Sequence, residues 1–169
     1  NQISTLDVTM LDSLENFQCG GNLLTSMDVT QNPLLETLIC GSNQLTALDV
    51  SQNPLFSYLR CPYNQIPTLD VTMLDSLDFL YCAGNLLTSL DVTQNPLLET
   101  LRCFGNQIPT LDVTQNLLLE TLLCYNNQIT ILDVTQNSLL KHLECGSNQL
   151  PTLNVTQNPV LEYLTCGYN

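Results

Sequence analysis

Residues 85 to 105 read NLLTSLDVTQNPLLETLRCFG, and this stretch recurs with variations along the whole chain. Residues 43 to 63 read NQLTALDVSQNPLFSYLRCPY, and residues 127 to 147 read NQITILDVTQNSLLKHLECGS. Cutting the 169 residues after every 21st gives eight units that align without a gap: 1-21, 22-42, 43-63, 64-84, 85-105, 106-126, 127-147 and 148-168. Every unit opens with Asn, has Val at its eighth position and has Cys at its nineteenth. Self-similarity at such a period marks a solenoid, in which each unit packs only on its neighbours. A longer period lies on top of the first. Units one and four share TMLDSL where the others mostly have TQNPLL, so the first six units look like a duplicated block of three.

Each unit is itself doubled. Leu35, Leu38, Cys40, Asn43 and Leu45 follow the spacing L-x-x-L-x-C-x-x-N-x-L, and Leu45, Leu48, Val50, Asn53 and Leu55 repeat it with Val for Cys. Apolar residues two apart, such as Leu38 and Cys40 or Leu48 and Val50, read as short strands with those side chains inward. The Asn three residues later reads as a corner whose amide satisfies backbone groups of adjacent turns. Stacked turns would then carry two Asn ladders and two short parallel sheets facing each other across an aliphatic core. Strand spacing on both sides predicts a nearly straight prism about 38 Å long. Pro33, Pro54, Pro96 and Pro159, at the twelfth position, exclude helix there. In units one and four Leu11 and Leu74 replace the second corner Asn, and Ser13 and Ser76 stand two positions later, which suggests an alternative corner that still fills the core.

This doubled spacing is the leucine-rich-repeat signature, and over all eight units it resembles the bacterial 21-residue leucine-rich repeats with a nested period, the IRREKO type. The resemblance implies an all-β, right-handed leucine-rich-repeat solenoid. It also implies recognition of proteins or glycans, in surface or secreted bacterial proteins.

Composition narrows the function. Sixteen acidic side chains against three basic ones give a net charge of −13, with 44% hydrophobic and 11% charged residues. Nucleic-acid binding and adhesion to an anionic membrane both need clustered Lys and Arg, which are missing. No apolar run approaches the roughly 20 residues of a membrane span. The start at Asn1 without a leader-like segment points to a mature product or an excised fragment. Units one and eight look like interior units without polar caps, which points to a segment of a longer protein or to end-to-end self-association.

The eight cysteines, Cys19, Cys40, Cys61, Cys82, Cys103, Cys124, Cys145 and Cys166, fall one per unit at an inward position. Parallel Cβ vectors disfavour disulfides between turns, so a buried row of free thiols is expected. No C-x-x-C or His pattern supports a metal, and no cofactor is implied. Catalysis finds no constellation: His142 is the only histidine, and no nucleophile is placed beside it. The expectation is a non-enzymatic protein. Asn154-Val155-Thr156 matches a glycosylation acceptor but falls inside a predicted strand.

The two outer faces differ. On the Val side the seventh position is Asp7, Asp28, Asp49, Asp70, Asp91, Asp112 and Asp133, then Asn154, with Thr or Ser two residues on. Carboxylates one strand spacing apart repel by about 0.9 kcal/mol per pair in water. Crowding is therefore expected to raise their pKa values. The bland reading is a solvated face; weak Ca²⁺ binding by Asp28, Asp49, Asp70, Asp91, Asp112 and Asp133, or ice binding by the Thr array, are the sharper ones. The Cys side varies from unit to unit and holds eight of the ten aromatics, all but Phe17 and Phe56. Tyr58, Arg60, Tyr63, Phe79, Tyr81, Arg102, Phe104, Leu123 and Tyr125 cluster there, the residue types enriched at binding hot spots. Cross-strand pairing that merely stabilises the sheet would use the same residues. The expected function is thus an extracellular binding or adhesion module for a protein or glycan, with a structural spacer and an ice-binding surface as alternatives.

Overall fold

The computed structural model describes residues 2 to 169. Asn1, the expected first rung of a ladder, lies outside the described residues. Eight three-residue strands appear, one per unit at positions sixteen to eighteen: β1 (Asn16–Gln18), β2 (Thr37–Ile39), β3 (Tyr58–Arg60), β4 (Phe79–Tyr81), β5 (Thr100–Arg102), β6 (Thr121–Leu123), β7 (His142–Glu144) and β8 (Tyr163–Thr165). They pair in parallel and in chain order as one sheet, with equivalent positions facing each other, as in Leu59↔Leu80. No helix occurs among the described residues.

The second sheet expected on the Val side does not form, and the reason is local. Around Val50 the chain makes two consecutive turns: Asn53 N–H donates to Val50 O at 3.1 Å and Phe56 N–H to Asn53 O at 3.2 Å. The Asp49 carboxylate accepts the Ser51 N–H at 2.9 Å. The Ser51, Asn53 and Phe56 N–H groups are thereby bonded to acceptors within three residues instead of to the next turn. Side chains then point inward with period three, and Val50, Asn53 and Phe56 are all buried. Pro54 occupies the second residue of the second turn, where its fixed φ is favoured. Strand spacing, on which a straight prism depends, is thus present on the Cys side and not on the Val side.

The same turns correct the reading of position thirteen. Leu34, Leu55, Leu97, Leu118 and Leu139 are exposed, while the residue after each is fully buried. Ser76 therefore stands at an outward position. Leu74 is fully buried at the Asn position, and its bonds, Leu74 N–H to Val71 O and Leu77 N–H to Leu74 O, match those of the other units. Unit four thus uses the common corner, not an alternative one.

Two Asn ladders are present, and they work differently. At the first corner Asn106 Oδ1 accepts the Leu87 N–H at 3.0 Å, and its Nδ2 donates to Cys82 O at 3.2 Å and Cys103 O at 2.9 Å. At the second corner Asn116 Nδ2 donates to Val92 O and Asn95 O, both at 2.9 Å. Its Oδ1 is buried without a donor, as are those of Asn32, Asn53, Asn95, Asn137 and Asn158. The core between the two corners is continuous, with Leu, Ile and Val filled out by Phe17, Phe56 and the cysteines. All eight thiols are free; Cys19 to Cys145 are buried, whereas Cys166, on the last turn, is exposed. Burial pushes the Cys61 and Cys103 thiols up to about 12, so thiolate chemistry is suppressed along the row.

Asn106→Leu should cost more than Asn116→Leu. The first leaves the Leu87 N–H without an acceptor, a loss of about 1–3 kcal/mol. The second removes an orphaned oxygen, and the two carbonyls it deserts keep their turn bonds from Asn95 N–H and Leu98 N–H. Urea unfolding of the two variants measures the difference, and equal costs would show that the ladders are equivalent.

Candidate functional site

The Asp face is a row of local turns. Asp112 Oδ1 accepts the Thr114 hydroxyl at 2.7 Å and the Thr114 N–H at 2.9 Å, and the pattern recurs at Asp7, Asp28, Asp70, Asp91 and Asp133. Asn154 makes the same two bonds with Thr156, so the acceptor-like triplet lies in a turn and not in a strand. Crowding does not win. The Thr hydroxyl first, and then the Thr N–H, lower the pKa of Asp7, Asp28, Asp70, Asp112 and Asp133. For Asp49 the Ser51 N–H leads. Repulsion from neighbouring carboxylates at Asp28 acts in the raising direction and is the smaller effect. The Thr hydroxyl protons are spent inside the turn instead of being offered to water, and no cluster of three metal-ligating side chains occurs among the described residues.

The sheet face holds the aromatic and arginine side chains, and its register brings them together. Tyr58 faces Phe79, and Arg60, Tyr81, Arg102 and Leu123 form one row. The Tyr58 and Phe79 rings stack with centroids 4.3 Å apart and planes 13° off parallel. Phe104 and Tyr125 stack at 4.4 Å and 8°, and Tyr81 meets Phe104 at 5.9 Å. The Arg60 guanidinium lies 5.3 Å from the Tyr81 centroid; that of Arg102 lies 5.8 Å from Tyr81 and 5.7 Å from Phe79. Burial, and then the Tyr63 hydroxyl, push the Tyr81 phenol up to about 12 against the pull of the two arginines.

The cluster is bounded. At position twenty, units one, two, seven and eight have Gly20, Gly41, Gly146 and Gly167, whereas units three to six have Pro62, Ala83, Phe104 and Tyr125. A side chain at Gly41 or Gly146 would collide with the next turn, 2.7 Å from Pro62 and 2.6 Å from the Gly167 carbonyl. Further along the face His142 Nε2 meets Glu144 Oε1 at 2.8 Å and its ring lies 4.4 Å from Tyr163, which makes it a paired surface side chain.

One feature escaped the sequence reading. Position twenty-one has positive φ in every unit; Gly21, Gly84 and Gly105 suit it, Ser42, Asn126 and Ser147 are small substitutes, and Tyr63 and Tyr168 are the two bulky residues. Tyr63 holds φ 55° there with its ring laid over Gly84, 2.5 Å from where a Cβ would stand. A bulky side chain in this region costs of order 1–3 kcal/mol and is a signature of functional sites. The run of Gly, Ser and Asn at position twenty-one is the signal that could have exposed Tyr63 and Tyr168 as the two bulky exceptions.

The functional domain of InlJ from Listeria monocytogenes, which includes a cysteine ladder, matches with TM-score 0.97 and 45% identity over 98% of this chain and 37% of that one. The chain belongs to the leucine-rich-repeat proteins with a 21-residue period and a cysteine ladder. A leucine-rich-repeat protein of Leptospira interrogans matches with TM-score 0.91 and 30% identity, over 99% of this chain and 47% of that one. The internalin InlF of Listeria monocytogenes, at TM-score 0.87 and 19% identity over 92% of this chain and 48% of that one, shares the fold. This leucine-rich-repeat chain thus spans less than half the length of those proteins. No protein-family model and no curated protein sequence matches it. No helix among the described residues is long and apolar enough to cross a membrane.

Two outcomes follow for the two faces of the leucine-rich-repeat stack. Carboxylates whose folded pKa is lowered contribute stability that is present above the ordinary carboxylate range and lost as pH falls through the lowered values. Asp78, raised by burial and by Glu99, opposes this. The thermal midpoint should stay level from neutral pH down to about pH 4 and fall below it; a midpoint that rises on acidification would show that crowding dominates after all. On the other face, Tyr63→Gly should leave the midpoint level or raise it, because strain is relieved. Leu59→Ala, in the core beneath, should lose about 2–5 kcal/mol. A comparable loss in Tyr63→Gly would make the tyrosine a structural prop.

Proposed function

We propose that this chain is a non-enzymatic binding module of a bacterial surface or secreted protein, and that it recognises a protein partner through the sheet face of units three to six. The observation that carries the proposal is the register that brings Tyr58, Phe79, Tyr81, Phe104 and Tyr125 together with Arg60 and Arg102 on the sheet face, with Tyr63 at a left-handed corner beside Tyr81. The bounded aromatic cluster supports the same reading, since exposed apolar patches rimmed by polar residues mark interaction sites. The family resemblance adds recognition outside the cell. A glycan is less well served, because the stacked pairs Tyr58–Phe79 and Phe104–Tyr125 cover ring faces that a sugar would need.

The test is a double substitution, Tyr81→Ser with Arg102→Ser. Partner protein retained by the immobilised intact chain should be lost from the variant, while the thermal midpoint stays within a few degrees. Retention by the variant at the intact level would remove the sheet face from the function.

A further inference from the structure

Arg60 and Arg102 have no acidic partner. The chain carries 16 carboxylate side chains and three basic ones. Lys141 pairs with Glu120 at 2.7 Å, yet neither arginine forms an ion pair or a side-chain hydrogen bond among the described residues. Each guanidinium has five N–H donors. The Nε of both is buried and unpaired. Both cations flank one ring, that of Tyr81, so they also repel each other across it.

The surrounding rings strengthen the same sign of potential. An aromatic ring is negative over its faces and positive along its edge. Stacking of Tyr58 on Phe79 and of Phe104 on Tyr125 covers faces, and the guanidiniums cover those of Tyr81 and Phe79. Two cations thus stand among rings whose faces are partly covered. The two guanidiniums have no carboxylate counterpart within the cluster. Across a surface whose net charge is −13, this is a local site of opposite sign.

We infer that the Arg60–Tyr81–Arg102 row is a receptor for side-chain carboxylates, and that the partner presents an acidic segment to it. The inference rests on the proposed binding face and specifies its chemistry. One carboxylate between the two guanidiniums, or one on each, would supply acceptors for charge-assisted hydrogen bonds and relieve the repulsion across Tyr81. The overall negative charge disfavours acidic partners at a distance, so only a segment docked against the sheet gains from the site. This makes the site a selector of register, as rim and interface charges commonly are.

The experiment uses the whole chain and two labelled peptides of serine and glycine, one carrying two glutamates and the other two glutamines in their place. Fluorescence anisotropy should show the glutamate peptide binding at least about tenfold more tightly than its amide counterpart, a preference that salt reduces. Arg60→Gln and Arg102→Gln should each erase the preference with the thermal midpoint unchanged; Lys141→Gln, outside the cluster, should keep it. Equal binding of the two peptides, or a preference that survives both arginine substitutions, overturns the inference. Displacement of the peptide by sialyllactose at lower concentration than by free glutamate peptide overturns it in favour of an anionic sugar. Failure of the inference is separable from failure of the binding face. A partner protein lost on Tyr81→Ser with Arg102→Ser, but retained by both single arginine-to-glutamine variants, leaves the face in use and removes only the carboxylate receptor.

Discussion

The side-chain amide of the Asn that opens each unit holds this structure together. It does what no backbone group at that corner can do, accepting an N–H from the preceding turn while donating to two carbonyls, one in each turn. Asn43, Asn64, Asn85, Asn106, Asn127 and Asn148 repeat the same three contacts. A chain reversing direction in the interior would otherwise bury unpaired polar groups, each costing about 1–3 kcal/mol. With the corner locked, the following residues have one register available, and the parallel sheet repeats it without a slip.

The two sides of each turn solve the backbone problem by different routes. On the sheet side the hydrogen bonds run between units, so the outward side chains at positions sixteen and eighteen are free to vary. On the Asp side the backbone-to-backbone bonds run within the unit, only the Asn amides reach the neighbouring one, and Asp, Thr, Gln, Asn and Pro are all parts of the turns. That is why one face is monotonous and the other diverse. Sequence freedom lies where structure does not need the side chain, and a binding surface can be written only there.

Most of this was legible in the sequence. The period, the inward Leu and Cys, the Asn corners and the row Arg60, Tyr81, Arg102, Leu123 all follow from spacing alone. The Val side was misread because Leu48 and Val50 alternate as a strand would, and only the next two inward residues, Asn53 and Phe56, reveal the change to period three. The D-V-T-Q-N-P string held the clue in its Asp acceptor and its Pro. The sign of the Asp shifts was misjudged for the same reason: repulsion can be read from a column of identical residues, but a hydrogen bond from the hydroxyl two positions on requires the turn. The strain at Tyr63 and the lack of acceptors around Arg60 and Arg102 belong to three-dimensional neighbours and to backbone angles, which spacing does not encode.

The interruption of the second ladder at Leu74 bears on how such a chain changes over generations. The duplicated block of three units carries a Leu at that corner once per copy, and the stack passes through it with the same turns and the same core. Each unit is therefore an exchangeable cassette whose joints do not depend on its neighbours' identity at that corner. Gaining or losing a unit beyond the sixth would carry the aromatic and arginine cluster along intact. The same event between Arg60 and Arg102 would move the two cations from two rungs apart to three, or bring them onto neighbouring rungs. Copy number thereby becomes a ruler for the spacing of charges on the face, adjustable without redesigning the fold.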